Sequence, residues 1–227
     1  MIFDPLYFLM AAPALLLALW AQFRISSTYA KAQRVAAPLS GAAAARHILD
    51  SAGLSGVDIE MIGGHLSDHY DPRHKVLRLS QEVYQSRSLA AVGIAAHEAG
   101  HAIQDARRYA PLVVRNAAVP IAGFGSNFAM ILVILGAVVS SLSFLITVGI
   151  ALFAGVVFFQ LVNLPVEFNA SNRAKQQLVA LGIVPQQEMY YVNKVLNAAA
   201  MTYVAATLQA ILTLLYLIIR FTGGSRD

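Results

Sequence analysis

The chain has 227 residues, 58% of them hydrophobic and only 12% charged, with a mean hydropathy of +0.61. That balance excludes an ordinary soluble domain and a disordered chain, and points to an integral membrane protein. The formal charge of +4 is not gathered into the dense basic run a nucleic-acid partner needs, and the lack of cysteine excludes disulfides, cysteine-ligated zinc and a thiol nucleophile.

Residues 6–23 are almost unbroken apolar sequence, long enough to cross most of a hydrocarbon core. A cleaved signal peptide fits them poorly, because Arg24, Lys31 and Arg34 follow the apolar run instead of preceding it. Residues 26–115 form a long polar connection. Within it, residues 39–52 have helical composition, with Ser40 as an N-cap candidate and Gly53 placed to stop the helix. Residues 57–62 alternate like a short strand, broken by Gly63 and Gly64. Residues 65–70 and 76–80 flank the turn-forming Asp71-Pro72-Arg73-His74-Lys75, which predicts a β-hairpin. From Gln81 to roughly Arg108 the pattern is helical, in one helix or two. Residues 117–139 and 142–162 carry no charge and are separated by little more than Ser140 and Ser141, which makes a transmembrane hairpin. Asn163-Leu164-Pro165 is expected to end the third span, with a separate polar helix over 167–181 closed by Gly182. Pro185 can start the next helix, and residues 198–219 form a fourth span. Gly123, Gly125 and Ser126 suit close helix packing in the bilayer.

Four spans put residues 24–116 and 163–197 on one side of the bilayer. Those segments carry 11 and 3 of the 16 Lys and Arg residues, leaving Arg220 and Arg226 on the other side. The positive-inside rule therefore places both segments in the cytoplasm, with Arg107, Arg108 and Arg115 as a juxtamembrane basic face toward anionic lipid.

The segment His97-Glu98-Ala99-Gly100-His101 lies in the helical stretch. A spacing of four puts both imidazoles on one face, about 6 Å apart, where they can share one tetrahedral zinc. Glu98 stands beside them as a general base that need not itself bind the metal. Catalytic zinc needs a third protein ligand. His47, His65, His69, His74 and several carboxylates are candidates on the same side, and Glu167 has the most telling context, because the hairpin of spans two and three returns it to the face the His97 helix leaves.

Three segments together, 95–104 around His97, His65-Leu-Ser-Asp-His-Tyr-Asp-Pro72 and Leu164-Pro-Val-Glu-Phe-Asn-Ala-Ser171, resemble the bacterial membrane zinc metallopeptidase family often called YugP-like. The resemblance runs from about residue 4 to 219. More distantly the arrangement is similar to the HtpX and CAAX-prenyl-protease gluzincins, in which a Glu following the intervening spans is the third ligand. The resemblance implies His97, His101 and Glu167 as metal ligands, Zn2+ as cofactor and Glu98 as the catalytic base. Ser171 stands where those relatives have an Asp that orients a zinc-bound His, so Asn172, or Asp68 from the hairpin, is the expected substitute.

His69 and Tyr70 carry two readings. In one the hairpin edge binds an extended substrate and His69 stabilises an oxyanion; in the other Asp68, His69 and Asp71 only stabilise the turn. His47, His65 and His74 are read as ordinary surface residues.

The expected architecture is mainly α and membrane-integral: a single metallopeptidase domain over residues 1–227, with four spans, a zincin-like helix and a small β-hairpin. The expected activity is zinc-dependent endopeptidase cleavage of peptides or membrane proteins at the cytoplasmic face of the bacterial cell membrane, with the lipid bilayer as partner and no nucleic acid. The rival is a non-catalytic metal-binding scaffold or transporter component. Transport would call for ionisable groups near the midplane of the spans, and spans two and three have none.

Overall fold

The structure is a computed structural model that describes residues 4–222; Arg226, used above in the charge count, lies outside the described residues. The chain is mostly helical: α1 (Pro5–Gln33), α2 (Gly41–Ser51), β1 (Asp58–Ile62), β2 (His69–Asp71), β3 (Val76–Ser80), α3 (Gln81–Gln85), α4 (Leu89–Ala106), α5 (Ala110–Val138), α6 (Phe144–Ala180) and α7 (Met189–Thr222). A single 3-10 turn, Ser140–Leu142, joins α5 to α6. The helices α1, α5, α6 and α7 are each long and apolar enough to cross a membrane. This is a mainly α membrane protein, as composition requires.

The chain divides into two compact units. One comprises the chain up to Trp20, Val113–Pro165 and the chain from Met201; the other comprises Ala21–Leu112 and Val166–Ala200. In the first unit many large apolar side chains point outward, among them Leu9, Leu16, Phe124, Ile131 and Phe158. Burying that much apolar surface in lipid is favourable, whereas exposing it to water is not. Within this unit Gly125 lies so close to α6 that an added Cβ would meet the Leu152 carbonyl oxygen at 2.7 Å, so the close helix packing expected there is realised at this glycine. Gly123 has open space around it.

The second unit holds the polar chemistry around one apolar core. Ile48 and Leu49 of α2, Leu77 and Leu79 of β3, Val83 of α3, Leu89 and Val92 of α4, Leu178 of α6 and Val192 of α7 are buried in it. Ser40 caps α2, accepting from the Ala43 N–H at 3.2 Å, and Gly53 ends the segment in the left-handed region at φ 74. Ser88 caps α4 in the same way, accepting from the Ala91 N–H at 3.2 Å. Most residues of α4 are buried, and most of those are alanine or glycine. Small side chains let neighbouring backbones come close, so α4 serves as the spine of the unit.

Two expectations need correction. The extended segments form a three-stranded sheet, not a lone hairpin: β2 pairs antiparallel with β3, and β1 pairs parallel with β3 on its other side. The first hairpin arm is also short, only His69–Asp71. β3 is central because Val76, Leu77 and Leu79 are apolar on both faces, and the parallel pairing with β1 is a long-range choice that local alternation cannot reveal. The second correction concerns Pro165. It lies inside α6, so Glu167 does not begin a new helix. A mid-helix proline costs about 3 kcal/mol, and burial of Val166, Ala170, Ala174 and Leu178 after it outweighs that cost. By the same token α7 starts at Met189, after a turn containing Pro185, and continues unbroken to Thr222.

Candidate metal centre

Helical spacing alone brings His97 and His101 together: their rings meet edge to face with centroids 4.8 Å apart. The third group arrives from α6. Glu167 Oε2 lies 3.3 Å from His97 Nε2 and 3.7 Å from His101 Nε2. One ligand atom from each of the three residues lies within 4.8 Å of the other two. Zinc bonds of about 2.05 Å in a tetrahedron put ligand atoms about 3.3 Å apart, so this donor set fits such an ion. The two imidazoles are mostly covered and Glu167 is nearly fully buried, as a group that gives up water for a cation must be.

What permits this approach is Gly100. A Cβ there would sit 2.6 Å from the Ala170 carbonyl oxygen, so only glycine lets α4 and α6 touch at the point that sets Glu167 against the two histidines.

The far nitrogens of both rings are also engaged. His97 Nδ1 lies 3.1 Å from Ser171 Oγ, and His101 Nδ1 lies 3.0 Å from Gln104 Oε1. The expected substitutes for the missing Asp do not perform this role. Asp68 instead accepts from the Ser80 backbone N–H at 2.7 Å and from its hydroxyl, while Asn172 is exposed. Ser171 itself holds His97, because a hydroxyl one turn beyond Glu167 reaches the same ring.

Glu98 is buried, and its Oε2 accepts from the Tyr70 backbone N–H at 3.1 Å. Burial pushes its carboxyl pKa up; the two neighbouring imidazoles pull the other way, and Glu167 adds to the rise. For His101, burial works against the protonated ring, yet Glu167, Glu98 and Gln104 outweigh it and raise its pKa.

β2 is an edge strand, and Tyr70 is its middle residue. The Tyr70 hydroxyl donates to Asp105 Oδ2 at 2.7 Å, and Lys75 Nζ reaches the same oxygen at 2.5 Å, so the hairpin is strapped to the last turn of α4. Burial and the Asp105 carboxylate raise the Tyr70 pKa above that of an ordinary phenol. His69 is exposed, with Nδ1 2.8 Å from the Ser67 carbonyl oxygen, and is not among the residues gathered at the cluster. His47, His65 and His74 are likewise outside it; His65 pairs with Glu82 and His74 with Asp71.

Gln104, Tyr70 by its backbone and Asp105 escaped the sequence reading. A signal existed for two of them, since residues 104 and 105 stand three and four after His101 and share its helix face.

The family model for "Putative neutral zinc metallopeptidase" matches residues 7–222. The chain belongs to this family. Among curated relatives, "Putative membrane protease YugP" of Bacillus subtilis (strain 168) is 46% identical over 221 residues, which is 96% of this chain and 98% of the relative. No solved structure matches the chain. Zinc is the metal the family's description states, and the nitrogen and carboxylate donors of His97, His101 and Glu167 suit it.

Proposed function

We propose that the protein is a zinc-dependent membrane endopeptidase in which His97, His101 and Glu167 hold the metal and Glu98 is the general base. The observation that carries this reading is the approach of the Glu167 carboxylate to both Nε2 atoms, from 66 positions beyond His101 in the chain. A structural histidine pair on a helix would not call for it. When bound, zinc acidifies a water and polarises a peptide carbonyl. Glu98 takes the proton of the attacking water and hands it to the departing amine.

An extended peptide fits along β2, whose outer edge has no partner strand among the described residues and whose Tyr70 N–H points at Glu98. His69, exposed one residue before Tyr70, is the candidate for steadying the oxyanion. The residues act as a single metallopeptidase domain, with substrates drawn from peptides or membrane proteins. The basic content of segments 24–116 and 163–197 supports a cytoplasmic site in a multi-pass protein of the bacterial cell membrane.

The test is Glu98→Gln in the full-length protein. Zinc content should stay at that of the parent, while quantitative proteomics of membranes from cells carrying either form should find substrates that accumulate only with the variant. A metal-binding scaffold would give identical proteomes. For His69, a His69→Ala variant that clears those same substrates at the parental rate excludes an oxyanion role.

A further inference from the structure

The amide of Gln104 is fully buried and its orientation is dictated by its neighbours. Arg173 Nε can only donate, and it donates to Asn169 Oδ1 at 2.7 Å, so the oxygen of that side chain faces it. Gln104 Nε2 donates to that same oxygen at 3.0 Å and to the Val166 carbonyl oxygen at 2.8 Å. Both of its N–H groups are thereby used on groups that can only accept. Gln104 Oε1 is left facing His101 Nδ1 at 3.0 Å, and because a carbonyl oxygen cannot donate, Nδ1 must carry the hydrogen. In the neutral ring, the form that binds a metal, His101 Nε2 then keeps its lone pair, and that is the atom turned toward Glu167. Flipping the Gln104 amide would set its oxygen, which has no solvent contact of its own, against two acceptors. His97 has no such constraint, since the Ser171 hydroxyl opposite its Nδ1 can donate or accept.

We propose that Gln104, oriented by Asn169 and Arg173, is a positioning residue that sets the tautomer and ring orientation of His101 for metal binding. Arg173, Asn169 and Gln104 form a one-way chain of donors and acceptors that starts on α6 and ends at a ligand on α4. The inference rests on the reading of His101 as a zinc ligand.

The experiment measures Zn2+ affinity of the purified full-length protein by chelator competition, together with the visible spectrum of the Co2+-loaded form. Asn169→Leu removes the acceptor that orders Gln104, and Gln104→Leu removes the acceptor at His101. Each is expected to weaken zinc binding by about 10- to 100-fold and to alter the Co2+ spectrum. Asn169→Asp still offers oxygen to both Arg173 and Gln104, and is expected to restore affinity and the parental spectrum. Parental affinity in both leucine variants overturns the proposal, and so does an Asn169→Asp protein as weak as Asn169→Leu, which would mean only that the packing had been disturbed. Failure of the underlying reading is separately visible: a parent that binds no zinc, or a His101→Ala variant that keeps full affinity, overturns both.

Discussion

Gly100→Ala sets helix propensity against tertiary geometry. Propensity alone forecasts that alanine in the middle of α4 stabilises the helix by about 1 kcal/mol. The structure forecasts the opposite outcome for the site. A Cβ on residue 100 would lie 2.6 Å from the Ala170 carbonyl oxygen, and that neighbour is backbone, which cannot swing aside. Relief requires α4 and α6 to part by at least roughly 0.6 Å, whereas zinc sites tolerate deviations of only about 0.2 Å. Glu167 stands three residues, one turn, before Ala170, so the separation falls directly on the Glu167 side of the proposed ligand set. Overpacking of this kind costs about 1–3 kcal/mol, enough to cancel or exceed the propensity gain. Zinc affinity, measured by chelator competition on the detergent-solubilised protein, should fall about 10-fold or more. An alanine variant that binds zinc as tightly as the parent would refute the argument that this close approach assembles the centre.

Other outcomes follow from the same geometry. Tyr70→Phe loses the hydroxyl bond to Asp105, worth about 1 kcal/mol, and should speed amide hydrogen exchange in β2; unchanged exchange would mean that Lys75 alone holds the hairpin. Asp71 is held well below the usual carboxylate range by His74 and Arg78. A depressed folded pKa contributes stability above the unfolded value of about 4 and loses it as pH falls further. Asp71→Asn should therefore lower the unfolding temperature at pH 7, and the gap from the parent should close in acid; a gap that persists unchanged at low pH contradicts the assignment. Adding zinc should raise the thermal stability of the parent, by up to about 4 kcal/mol at a thousand times the dissociation constant, while His101→Ala should respond far less. Equal responses from the two proteins would remove His101 from the ligand set.

Properties with a local or compositional cause could be read from the sequence. Apolar runs near 20 residues long dictate spans whatever surrounds them, so each of the four expected spans lies, to within two residues, in one of the long helices, α1, α5, α6 and α7. Four-residue spacing dictates a shared helix face, so His97 and His101 meet before anything packs on them, and Ser40 caps α2 through a bond to its own first turn. Tertiary structure decided the rest, because the interactions concerned join distant segments. Packing after Pro165 carried α6 through a residue that locally argues for a break. Pairing across 18 residues set β1 beside β3. The contact of Gly100 with Ala170 brought Glu167 to the histidines, Ser171 filled a role that its side chain alone did not advertise, and the Gln104 amide acquired a direction only from partners 62 and 65 positions away. A hydrogen-bonding group gains a definite role only when its partner is fixed, and here the partners lie on another helix.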